Sequence, residues 1–139
     1  MSFAGVNYLA VLAAAVANWL FGGAWYTALS KPWMAASGWR SREEMLGPTG
    51  KVSPLPFVVS FVAELVMAYF LAGLIAHLGA VTAPNGLVTG FFVWLAFVAT
   101  TISVNHRYMM KPWSLTAIDA GHWLGVLLVM GVVIGLFGP

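Results

Sequence analysis

Four uninterrupted apolar stretches constrain this chain more than anything else in it: Val6 to Leu29, Pro54 to Leu78, Gly86 to Val104 and Trp113 to Phe137. A helix needs about 20 residues to cross a hydrocarbon core of roughly 30 Å, and each stretch reaches or approaches that length. With 61% hydrophobic and 7% charged residues among 139, the chain lacks the polar surface of a water-exposed globule, whereas a lipid-facing bundle needs almost none. The expected fold is all-α: a polytopic membrane protein with four transmembrane helices in an up-down bundle. It would form one transmembrane domain over residues 1–139, with a loop at 30–53. There is no cysteine, hence no disulfide or thiolate chemistry. A net charge of +2, spread over loops, is not a nucleic-acid footprint.

The cations set the orientation. Lys31, Arg40, Arg42 and Lys51 fall in the first loop and Arg107 and Lys111 in the third, with none elsewhere. Short cytoplasmic loops carry the Lys and Arg excess, so both basic loops are expected in the cytoplasm and both termini outside, in a bacterial inner membrane. Lys31, Trp33, Trp39, Lys111 and Trp113 are the expected interface anchors. The first stretch has no basic start, contains Asn18 and outruns the apolar part of a signal peptide, so it reads as a retained helix. Within the first loop, Ser41 and Glu44 have capping-box spacing. A short surface helix and an irregular loop through Gly47, Pro48 and Gly50 both fit.

Lys-Pro-Trp occurs twice, at Lys31, Pro32, Trp33 and at Lys111, Pro112, Trp113, with Asn7 and Asn85 at similar distances upstream. Two parallel helix-hairpin repeats would account for this, as would chance similarity between apolar sequences. A repeat would make the second and fourth helices equivalent, each with one acid, Glu64 and Asp119. A pseudo-twofold axis along the membrane normal would then bring both to one central interface.

Ionisable groups inside a spanning helix cost roughly 2.5 to 3.5 kcal/mol each, so they face a partner or water. Glu64, Asp119 and His122, together with Asn18, form the candidate intramembrane polar site. Asp119 and His122 share a helix face, continued by Trp123, Val126 and Met130. The inward stripe of the first helix reads Asn7, Val11, Ala14, Asn18, Gly22, Trp25; that of the third reads Phe91, Trp94, Val98, Thr101, Asn105. The structural alternative is interhelical hydrogen bonding by Asn18 and a neutral Glu64. His77 and His106, near helix ends, read as ordinary interfacial residues. Ala117, Gly121, Gly125, Gly131 and Gly135 on the fourth helix, and Ala68, Ala72 and Ala76 beyond Glu64, form small-residue ridges suited to helix packing or a subunit interface.

Four segments together resemble a known family: Val6-Asn7-Tyr8-Leu9-Ala10-Val11, Gly23-Ala24-Trp25-Tyr26, Lys31-Pro32-Trp33-Met34 and Asp119-Ala120-Gly121-His122. It is a bacterial family of small four-helix membrane proteins, catalogued only as a domain of unknown function. The resemblance covers nearly the whole chain and implies a membrane-embedded bundle, with no activity or ligand. That family carries Asn-Ala-Gly-Tyr-His where this chain has Asp119-Ala120-Gly121-His122, so the resemblance lends position 119 no role.

Three function classes follow. The working expectation is transport of a proton, cation or small solute through the acidic site. The second is a non-catalytic accessory subunit or assembly factor of a larger membrane complex. The third is an intramembrane metal-dependent enzyme with Glu64, Asp119 and His122 as ligands. With no His-Glu-x-x-His, Gly-x-Ser-x-Gly or phosphate-cradling loop, no enzyme, cofactor or resident metal is expected. The expected partners are the lipid bilayer, a second copy or a membrane complex, and a proton or cation ligand.

Overall fold

The computed structural model describes Phe3 and residues 5–139, and every regular element among them is helical. Helix α1 spans Tyr8–Ala28, two short helices α2 (Ser30–Ser37) and α3 (Arg42–Leu46) occupy the first loop, and α4 spans Leu55–Leu78. Helix α5 runs Ala83–Tyr108 and α6 Trp113–Phe137. Helices α1, α4, α5 and α6 are long and apolar enough to cross a bilayer. The chain is a multi-pass membrane protein.

Three of the helices start at a residue whose side chain satisfies free N–H groups. Asn7 caps α1, its side-chain oxygen accepting from Leu9 N and Ala10 N at 3.1 Å each, so it is a cap rather than part of an inward stripe. Thr82 caps α5. Pro84 sits in the first turn, where its missing N–H costs nothing, and the third span therefore begins before Gly86. Ser41 caps α3, accepting from Glu44 N at 3.2 Å, while Glu44 Oε2 returns to Arg40 N at 2.8 Å. On the same turn the Glu43 carboxyl is held below its ordinary pKa, first by its own backbone N–H and then by the Ser41 hydroxyl. The two Lys-Pro-Trp tripeptides take different local structures: the first lies within α2, and the second forms the turn into α6 with Pro112 as N-cap.

Lipid supplies no hydrophobic drive between helices, so association depends on close packing. Helix α6 is the hub: it packs most extensively on α5 and then on α1, and α4 leans chiefly on α1. Gly86 of α5 lies against Gly131 of α6, Gly90 against the Leu127 carbonyl, and Gly135 against the backbone of Thr82 and Ala83. A Cβ at any of these would meet main chain, which cannot rotate away. On the α1 side, Gly121 receives the ring of Trp25 and Gly125 that of Phe21. Gly121, Gly125, Gly131 and Gly135 thus pack within the bundle; Ala68 and Ala72 are buried, and Ala76 and Ala117 are exposed.

Within α5, Trp94–Ala99 form a π-helical turn. Its wider winding keeps positions four apart on the face toward α6, from Gly86 and Gly90 through Trp94 to His106. The regular stripe expected from sequence drifts off that face, and Phe91, Thr101 and Asn105 are exposed.

The apolar core joins Val11 and Ala14 of α1, Ala68, Leu71 and Ile75 of α4, and Val126, Met130 and Ile134 of α6. All lie in the half of the bundle away from the basic loops. There the Phe3 ring stacks on Tyr69 at 5.0 Å and fills the space left by Gly73. That half is closed.

Substituting Gly86→Ala is expected to destabilise the bundle by about 1 to 3 kcal/mol, because its Cβ would strike the Gly131 backbone. Gly23→Ala, which meets open space, should stay within about 0.5 kcal/mol of the parent. Thermal unfolding of both variants in detergent checks this, and equal midpoints would contradict the close approach.

Candidate functional site

The other half of the bundle, toward the basic loops, contains a cleft of about 670 Å³ between α1, α4 and α6. Arg42 and Ser30 stand among its lining residues near the basic-loop end, and Glu64, Gly22 and His122 line its inner part. At 1.5 Å per residue, Glu64 lies about 14 Å from the Leu55 end of α4 and His122 about 14 Å from the Trp113 end of α6. By the same measure Asn18 lies about 15 Å from the Ala28 end of α1. All three sit at one level of the bundle.

These three side chains are buried, with Asn18 0%, Glu64 2% and His122 6% exposed. Among the described residues, Glu64 Oε2, both ring nitrogens of His122 and both amide atoms of Asn18 have no hydrogen-bond partner. A buried polar group left unpaired costs about 1 to 3 kcal/mol, and most such groups in native proteins are paired. Three such groups lie at one depth, two of them lining the same cleft, and they make up the candidate site.

His122 is placed by aromatic and glycine neighbours. Its ring lies 4.8 Å from that of Tyr26, 5.0 Å from Trp123 and 6.1 Å from Phe21, stacked on the last at 14°. Gly22 makes room for it: a Cβ there would come within 2.9 Å of His122 Nε2. The indole N–H of Trp25 donates to Ile118 O at 3.2 Å and that of Trp94 to Ala120 O at 2.8 Å. These two bonds bracket Asp119 and fix the register of α6.

Asp119 belongs to a different cluster. Its Oδ1 accepts from Tyr26 OH at 2.9 Å and Trp33 Nε1 at 3.2 Å, and its Oδ2 lies 3.6 Å from His106 Nε2. Thr116 Oγ1 accepts from Arg107 Nη2 at 2.7 Å and lies 3.1 Å from His106 Nδ1. With one lone pair engaged by arginine, the hydroxyl proton can serve Nδ1, and the ring proton on Nε2 then faces Asp119. The Arg107 guanidinium stacks over Trp113 at 3.8 Å, and Lys111 Nζ donates to Ser37 O at 2.8 Å. Trp33 and Lys111, anchors by sequence, therefore also dock α2 onto the bundle.

The expectation that Glu64 and Asp119 meet at one interface gives way to this arrangement. Helix α6 packs on α1 rather than broadly on α4, which turns Asp119 to Tyr26 and leaves Glu64 as the carboxylate of the cleft. Among the described residues no three His, Asp or Glu side chains converge as metal ligands would. His106, read as interfacial, faces Asp119 because the π turn in α5 carries it there. Tyr26 was legible in principle, since it follows Asn18 and Gly22 at four-residue spacing on one stripe.

Residues 9–135 match the family model DUF1761, a protein of unknown function. The chain belongs to this family. No curated protein and no solved structure matches it. In this DUF1761 member the acids inside the bundle, Glu64 and Asp119, fall into the cleft and the cluster beside it.

Asp119→Ala would strip Tyr26 and Trp33 of their acceptor, about 1 to 3 kcal/mol for each donor left unpaired, and release α2. The chain has no cysteine, so a maleimide probe on an Ala36→Cys reporter reads this directly. Labelling should be several-fold faster in the Asp119→Ala background and near parental with Asp119→Asn, which keeps an acceptor oxygen.

Proposed function

We propose that the protein is a small membrane transporter, not an enzyme, that moves a proton, cation or small solute by way of Glu64. In this reading it sits in the bacterial cytoplasmic membrane with its basic loops inside, because those loops hold all six Lys and Arg residues. The observation that carries it is the set of unpaired groups at one depth of the bundle, Asn18, Glu64 and His122, of which Glu64 and His122 line the cleft on the basic-loop side.

A carboxylate in such a place is neutralised by a proton or by a cation, since a lone buried charge is too costly to leave. His122 beside the cleft offers a second exchangeable position, and Tyr26 joins its surroundings to Asp119. The cleft lies in one half and the apolar core closes the other, the geometry of one state in an alternating-access cycle. The accessory-subunit role has less support, because Gly121, Gly125, Gly131 and Gly135, suited to docking a partner, are engaged inside the bundle.

The test is flux through the full chain in proteoliposomes, read with a pH dye for protons and with labelled methylammonium for a cation. Glu64→Gln should cut flux of the transported species by at least about tenfold while the protein still inserts and folds. Gly22→Ala, whose methyl group displaces His122, should lower it several-fold. Flux unchanged by Glu64→Gln for both probes would remove the transport reading.

A further inference from the structure

We propose that the substrate is a lipophilic organic cation, which reaches Glu64 sideways from the bilayer along a groove between α1 and α4. This rests on the transport reading above and narrows it to a substrate class. The groove has a volume of about 450 Å³ and an apolar wall, formed by Val16, Trp19 and Leu20 of α1 and Phe57, Val58 and Phe61 of α4. Trp19, Leu20 and Phe57 also line the cleft that holds Glu64. The two spaces thus share a wall, one side facing lipid-exposed helix surface and the other leading to a carboxylate.

The chemistry of the shared wall favours an organic cation over an inorganic one. Trp19 spends its indole N–H on Phe57 O at 3.1 Å, and its ring meets those of Phe57 and Phe61 edge-on at 6.5 Å each. Trp19 stays 38% exposed, which leaves ring surface for apolar or cationic contact. Tyr26 and Trp123 add aromatic surface within the cleft. Aromatic faces attract cations, quaternary ammonium groups above all, and a weakly hydrated cation with apolar substituents suits both the rings and the groove. A small hard ion needs six or more oxygen ligands, whereas among the described residues Glu64 is the cleft's sole carboxylate. Arg42 lines the cleft on the basic-loop side and repels a cation approaching that way; the groove avoids it.

One negative charge takes one countercharge, so a bound cation and a proton on Glu64 exclude each other. Binding then releases a proton and weakens as pH falls. The other charged or titratable groups facing the cleft are Tyr26 from α1, Arg42 from α3 and His122 from α6, with Asp119 behind Tyr26. Charging His122 at low pH acts in the same direction as protonating Glu64.

The experiment measures binding of tetraphenylphosphonium to the full chain in mild detergent at pH 8 and pH 5, with proton release followed in weak buffer. The same preparation is reconstituted for the methylammonium and proton flux assays. The expected result is binding at pH 8 and, at pH 5 where Glu64 starts protonated, an affinity at least about tenfold lower with release of a proton on binding. A further loss of about 30-fold or more is expected in Glu64→Gln. Leu20→Trp and Val58→Trp fill the groove from positions 61% and 58% exposed, so folding does not depend on them, and each should slow association several-fold. If tetraphenylphosphonium fails to bind, or binds Glu64→Gln as well as the parent, while methylammonium or proton flux still requires Glu64, this inference is overturned and the transport reading stands. If neither flux depends on Glu64, both fall.

Discussion

The architecture depends on how closely backbones can approach α6. In hydrocarbon, leucine gains nothing by leaving lipid for another leucine, so a helix pair holds where main chains come near enough for dense van der Waals contact. Gly86 and Gly131 provide that between α5 and α6, with Gly90 and Gly135 extending the seam. On its other flank α6 uses Gly121 and Gly125 as sockets for the rings of Trp25 and Phe21. With both flanks engaged, the azimuth of α6 is set, and with it the directions of Asp119 and His122.

From that placement follows a division of the bundle into unlike halves. Away from the basic loops, aliphatic side chains from α1, α4 and α6 form the apolar core. Toward the basic loops, tryptophan and tyrosine are the main packing groups, and their N–H and O–H donors reach carbonyls and a carboxylate on α6. Large rigid rings do not fill space as evenly as aliphatic chains, and the cleft lies in this half. Asp119 has donors of its own, whereas Glu64 has the cleft. The two acids thus differ in surroundings: one holds α2 through Trp33, and the other lines the cleft.

Much of the fold was legible before any coordinates. The second and fourth spans, Leu55–Leu78 and Trp113–Phe137, follow from run length alone, and Asn18, Glu64 and His122 stand out because polar side chains in apolar helices are expensive. The third span and its inward face were harder. Pro84 reads as a turn until its place in the first helical turn is seen, and the π turn at Trp94–Ala99 breaks the regular spacing on which the stripe of Phe91, Thr101 and Asn105 was built. The same turn brings His106 to Asp119, since residues beyond a π turn rotate relative to those before it.

By itself the sequence determined that this is a four-span membrane protein, which residues are too polar to face lipid, and that the cations gather in two loops. Each of these depends on composition within one helix or loop, and the cost of putting a polar group into hydrocarbon does not depend on what lies next to it. Only the tertiary structure decided which polar groups are paired and which are left open. That is a property of helix azimuth and pairing, set by glycine contacts between chain-distant segments. It separated Asp119 from Glu64, moved Tyr26 and His106 into the acid's surroundings, and left Glu64 and His122 lining one cleft.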